Sequence, residues 1–251
     1  VKVFLAGAAG AIGRRLTPLL LRAGYHVTGT TRSKKNAELL TTYGAVPMVV
    51  DVFDAGALRD AVAEAQPDIV IHQLTDLPAA PGTPGYAEGL ERNRRIRVEG
   101  TRNLIAAAQA AGVRRVVAQS IGFIYAPAPG ARVETDALDP TDEPVRRGTV
   151  EGVRALEDAV LKTPGIDGIV LRFGFFYGPG TWNEARPKGA AIHVDAAAHA
   201  TLLTVQKGKP GLYNIAEDDP GLSSAKAKRD LGFDPAFRLK ADDLTAAGGR
   251  P

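Results

Sequence analysis

Three glycines, Gly7, Gly10 and Gly13, spaced as GAAGAIG, stand between the apolar run VKVFLA and the stretch RRLTPLLLRAGY. Glycine at the first position permits a tight turn, at the second it lets backbone N–H groups approach an anion, and at the third it lets a helix pack closely on the strand. Such a loop suits a dinucleotide's pyrophosphate, and Ala11 and Ile12 inside it count as candidate cofactor-binding residues. The second candidate cluster is TTRSKK, with Arg32, Ser33, Lys34 and Lys35. A carboxylate there would accept hydrogen bonds from the ribose hydroxyls of NAD. None is present, and a 2′-phosphate would instead find a guanidinium, a hydroxyl and two ammonium groups. This favours NADP, with NAD possible; the alternative is an ordinary solvated basic turn. A third observation is an absence: none of the six tyrosines has a lysine four residues later.

These residues need a frame of strands that end on one edge. Apolar runs of four to eight residues recur between helical patterns, the signature of a parallel sheet covered on both faces. Strands are predicted at Lys2–Ala6, His26–Thr30, Val46–Val50, Ile69–Gln73, Arg115–Gln119 and Gly168–Arg172. Helices are predicted near Ala11–Ala23, Lys35–Tyr43, Ala55–Ala65, Ala87–Ala111 and Val150–Lys162, with later ones at Ala196–Val205, capped by Asp195, and at Ser223–Leu231, capped by Ser223 or Ser224. The expected fold is α/β, a doubly wound parallel sheet of the Rossmann type. The expected division is a dinucleotide-binding domain over 1–180 and a small, dependent substrate-side lobe over 181–251. The segment Leu77–Tyr86, with PAAPGTPGY, is either a lid or a mobile surface loop, and Ala126–Gly148 also borders the carboxyl ends of the strands.

Composition narrows the partners. The 251 residues carry 31 basic and 28 acidic side chains, a formal charge of +3, with no dense lysine run, so nucleic acid is not an expected partner. There is no cysteine to form a disulfide or a thiolate, and no metal site is expected from four scattered histidines. The sequence offers no apolar run of about 18 residues and no leader pattern, and it reads as a cytoplasmic protein acting on a small molecule. His72 and His193 read as hydrogen-bonded core histidines.

The ordered motifs GAAGAIG, DVFD, EGTRNLIAAAQAAGVRRVV, LRFGFFYGPGT, HVD and YNIA resemble the extended short-chain dehydrogenase/reductase superfamily, the NAD(P)-dependent epimerase/dehydratase family. The resemblance spans nearly the whole chain and is strongest over 1–180. It implies that Gly7, Gly10 and Gly13 hold the pyrophosphate, that Asp51 and Val52 meet the adenine, and that Phe173–Tyr177 adjoin the nicotinamide. Leu74 and Thr75, after the fourth strand, join the cofactor-binding set, as does Phe173. It also implies a possible homodimer through the long helix and the one at Val150–Lys162. Relatives have longer stretches between GPGT and HVD, and after YNIA, so either the substrate side is reduced here or loops that belong to it are missing.

The family's proton-transfer machinery is altered at each place. Its tyrosine falls on Thr149, its lysine on Val153, its serine on Ile121 and its asparagine on Arg97. A threonine hydroxyl is a very weak acid and valine carries no charge. Two residues are the remaining catalytic candidates. Ser120 ends the fifth strand, where it either orients a carbonyl or caps the strand; Tyr125 either donates a proton, made more acidic by Arg97 or Arg154, or packs on the pocket wall. The resulting expectation is an atypical oxidoreductase or epimerase/dehydratase-like protein acting on a carbonyl, alcohol or nucleotide-sugar substrate. The alternative is a non-catalytic NADP-binding sensor or regulatory module.

Overall fold

The computed structural model describes residues 1–77, 82–240 and 243. Seven parallel strands form the main sheet: β1 (Lys2–Ala6), β2 (His26–Thr31), β3 (Val46–Val49), β4 (Ile69–His72), β5 (Arg115–Ile121), β6 (Asp167–Phe173) and β9 (Gly211–Ile215). Their order is β3-β2-β1-β4-β5-β6-β9, so the connection reverses direction between β1 and β4. A second, two-stranded parallel sheet pairs β7 (Phe175–Tyr177) with β8 (Ala191–His193). The fold is the doubly wound α/β fold expected from the sequence, and a crevice opens where the strand order reverses.

Two-residue alternation divides the strand side chains between two cores. Val3, Leu5, Ile69, Ile71, Val117, Ile169 and Leu171 face one core, and Phe4, Ala6, Val70, Val116, Ala118 and Val170 face the other. The first is closed by helices α1 (Gly13–Arg22) and α7 (Val194–Lys207), the second by α3 (Ala55–Ala65), α5 (Thr101–Ala110) and α6 (Pro144–Leu161). Helices α2 (Lys34–Thr42), α4 (Tyr86–Arg95) and α8 (Ala225–Leu231) complete the set among the described residues. Residues after 180 enter the main layers: β9 pairs with β6, and Arg15 on α1 holds Asp195 on α7 at 2.6 Å and the Pro179 carbonyl at 2.8 Å.

The sequence reading differs from the structure in several places. The long helix expected over 87–111 is interrupted by a π-helical turn, Ile96–Gly100, that joins α4 to α5 and buries Ile96 and Arg97. Helix α6 begins at Pro144, because Pro at the first position and Glu143 as cap start it six residues early. Asp195 does not cap α7. The His193 ring accepts the Asp195 N–H at 3.2 Å and is the cap, which frees the carboxylate for Arg15. Ser224 stands at the N-cap of α8 but spends its hydroxyl on the backbone of Ala216. Residues 78–81 of the expected lid lie outside the described residues.

Candidate active site

The glycine loop turns as its composition requires. Gly7 has φ +89°, a conformation costly for any residue with a Cβ, and such an atom would meet the Gln73 backbone at 2.7 Å. Gly10 N–H donates to the Gly7 carbonyl at 3.1 Å, and Gly7 N–H to Thr30 Oγ1 at 3.3 Å. A Cβ on Gly13 would lie 2.5 Å from the Ala8 carbonyl oxygen, so α1 approaches the loop as closely as only glycine permits.

A cleft of about 310 Å³ opens over this loop at the carboxyl ends of β1 to β4. It brings together eight of the residues singled out in the sequence: Gly7, Gly10, Arg32, Ser33, Asp51, Val52, Leu74 and Thr75. Ala11, Ile12, Gly13 and Phe173 lie outside its lining. Ile12 and Phe173 are core residues, and the Ala11 carbonyl accepts from Arg15 at 2.8 Å. Sequence reasoning missed Asn36, Phe53 and Gln73, which also line the cleft. Asn36 had a signal, since it lies in the first turn of α2, just beyond the basic turn. Phe53 had one in its place beside Asp51, whose carboxylate accepts the Phe53 N–H at 3.0 Å, and Arg95 lies 4.0 Å over its ring.

The lining fits an anionic dinucleotide. Arg32 is exposed at the rim and makes no ion pair among the described residues. Ser33 is the N-cap of α2 but makes no capping bond with its side chain, so its hydroxyl and the first N–H groups of α2 remain free for a ligand oxygen. Both amide atoms of buried Gln73 lack a partner, a costly state that a polar ligand group beside them would relieve. Next to Gln73, His72 holds the strand end: its Nδ1 accepts the Leu74 N–H at 3.2 Å and its Nε2 meets Thr101 Oγ1 at 2.9 Å. Burial, aided by the charge of Arg97, lowers the His72 pKa to about 4 and keeps the ring neutral. His72 is thus a hydrogen-bonded core histidine.

On the β5 and α6 side the positions of the proton-transfer machinery are differently filled. Ile121 and Val153 pack with Ile124 and Val150 into one buried apolar cluster. Thr149 turns its hydroxyl to the Val145 carbonyl at 3.2 Å. Arg97 is buried, and desolvation lowers its pKa to about 10 against the opposing pull of Glu157, so it stays charged at neutral pH. Ser120 donates to Glu157 Oε1 at 2.8 Å. Arg172 reaches the same carboxylate twice, at 2.8 and 2.6 Å, in a pair that is almost fully buried.

Tyr125 lies at the edge of this network. Its hydroxyl donates to Asn214 Oδ1 at 2.6 Å, and the Arg172 guanidinium stands 4.8 Å from its ring centre. The expectation of a tyrosine acidified by Arg97 or Arg154 is not met, because the neighbouring cation is Arg172 and burial outweighs it. The Tyr125 pKa is raised. Ser120 does not simply end its strand; it anchors β5 to α6 through Glu157.

A glycine loop at the strand-order reversal, an aspartate after β3 and a helix α6 without the tyrosine–lysine pair now stand together. The family model for the NAD dependent epimerase/dehydratase family matches residues 3–232. The chain belongs to this family. A 3-diazoavenalumate denitrifying reductase from Streptomyces sp is 35% identical over 96% of this chain and 85% of that protein. A dTDP-4-dehydrorhamnose reductase from Streptomyces griseus is 32% identical over 70% of this chain but only 50% of that protein. Among solved structures, UDP-glucose 4-epimerase of Thermotoga maritima superposes with a TM-score of 0.76 at 19% identity, covering 98% of this chain and 97% of that one. At that identity the likeness speaks for the fold. No helix among the described residues is long and apolar enough to cross a membrane.

Proposed function

We propose that this family member is an NADPH-dependent reductase whose acceptor takes a hydride without a proton from a tyrosine–lysine pair. The observation that carries the reading is the apolar cluster of Ile121, Ile124, Val150 and Val153, which fills the place of two members of that machinery with dry side chains. Bound NADPH supplies the hydride. The chain supplies the cradle at Gly7 and Gly10, a phosphate subsite at Arg32, Ser33 and the α2 N-terminus, and orientation at the ends of β4 and β5.

A diazo acceptor meets this requirement. Hydride addition to the terminal nitrogen of an aryl diazonium forms an N–H bond and a neutral diazene; the C–N and N–H bonds then break, dinitrogen leaves, and the diazene hydrogen ends on the ring carbon as a C–H bond. Positive charge on the acceptor is cancelled by the hydride, so no alkoxide forms and no acid is needed to quench it. The Streptomyces relative whose name states reductive denitrification of a diazo compound supports this choice. A homodimer through α4 and α6, whose faces lie together in each chain, belongs to the same proposal.

The test combines purified protein, NADPH and an aryl diazonium carboxylate. NADPH oxidation with one dinitrogen released per cofactor is the expected result. Oxidation of NADPH by simple ketones or nucleotide sugars, with none by the diazonium, would overturn it.

A further inference from the structure

A second cavity of about 310 Å³ lies on the same carboxyl edge of the sheet, past the ends of β5 and β6. Phe123 and Phe175 form one wall. Their rings are stacked 4.2 Å apart and tilted by only 8°, yet both remain more than a third exposed. Tyr125, Pro127 and Leu222 continue the apolar surface, and Arg132 and Asp219 bring one charge of each sign. Two exposed phenylalanines held face to face beside a cavity are a surface that gains from being covered, because each ring offers a flat apolar face.

From this lining we infer that the cavity is the substrate site and takes a planar aromatic molecule bearing at most one negative charge. A nucleotide diphosphate does not fit its chemistry. Two phosphates need several free donors, whereas Arg132 is engaged by Asp136 at 3.5 Å and by the carbonyls of Pro129 and Gly130, which leaves a single buried Nε without a partner. Among the described residues no lysine lines the cavity, and Asp219 would repel a second anionic group. A flat ring needs none of these donors. Its position follows from the sheet order: the cofactor cleft spans the ends of β3 to β4, and β5 and β6 are the next strands along the edge.

Naming the occupant a substrate rests on the reductase reading, but its binding is measurable without turnover. The experiment is calorimetric titration of protein saturated with NADP+, using 4-hydroxycinnamate and UDP-glucose as probes, in wild type, Phe175→Asn and Phe123→Ala. Saturable binding of 4-hydroxycinnamate is expected, weakened about tenfold in each variant, with no heat from UDP-glucose. An unchanged urea-unfolding midpoint in the variants shows that they are folded. Tighter binding of UDP-glucose than of 4-hydroxycinnamate, or aromatic binding equal in all three proteins, would overturn the assignment. A protein that binds the aromatic acid but reduces no diazonium refutes the reductase reading alone.

Discussion

The cleft over β1 to β4 and the region between β5 and α6 descend from one sheet edge, yet they are built differently. The cleft is made by backbone: glycines forced by a positive φ or by a carbonyl at van der Waals limit, strand ends and a helix N-terminus. The β5–α6 region is made by side chains, and here they form an apolar cluster beside a buried ion pair. Backbone geometry leaves few sequence solutions, whereas side-chain chemistry can be replaced in concert if the volume is refilled. A protein can therefore keep the cofactor site of its family and change what surrounds the reacting atoms.

If the β5–α6 region is structural rather than a proton relay, its variants should act first on stability. Glu157→Gln leaves the buried Arg172 guanidinium without its charge partner, and should cost about 4 kcal/mol in urea unfolding. Val153→Lys places an ammonium in the apolar cluster and should cost about 3 kcal/mol by the same measurement. Tolerance of this lysine would mean that the region still accepts a relay cation.

On the cofactor side, His72 is neutral in the folded chain down to about pH 4, while its unfolded form takes a proton near 6.5. Between those values the unfolded state binds more protons, so this contribution to stability is complete above pH 6.5 and is lost as pH falls toward 4. The loss should approach about 3 kcal/mol, read as a slope in the unfolding free energy that His72→Gln flattens. The smallest effect concerns the cofactor's phosphate. Arg32→Ala should weaken NADPH binding about tenfold and leave NADH binding unchanged in calorimetry, since only the 2′-phosphate needs the guanidinium. An equal loss for both cofactors would remove the basis for NADPH preference.

Much of this contrast was legible in the sequence. Six of the seven main-sheet strands announced themselves through short apolar runs, whereas β9 and the pair β7–β8 did not; Gly7, Gly10 and Arg32 gather in one cleft as their spacing implied, with Asp51 and Thr75 where the family resemblance put them. Asn36 was missed because it sits inside α2, and Gln73 because it directly follows β4 and contributes through where that strand end points. The π-helical turn at Ile96–Gly100 was not legible, because its apolar spacing continues that of the flanking helices. The partners of Ser120 and Tyr125 lie 37 and 89 residues away, so local pattern could suggest their reach toward a site but not the bonds to Glu157 and Asn214 that engage them. Asp195 was read as a cap on type alone, and its tertiary partner Arg15 took it instead.

The central claim is that reduction proceeds without a protein-derived proton at the reacting atom, and Tyr125→Phe tests it most directly. The substitution removes the hydroxyl now held by Asn214 and leaves the ring under Arg172. With NADPH and the aryl diazonium carboxylate, kcat should stay within about threefold of wild type, because general acid catalysis, where it operates, contributes about a hundredfold or more. A fall in kcat of about a hundredfold, with unchanged binding of NADP+ and 4-hydroxycinnamate, would make Tyr125 the proton donor and contradict the account.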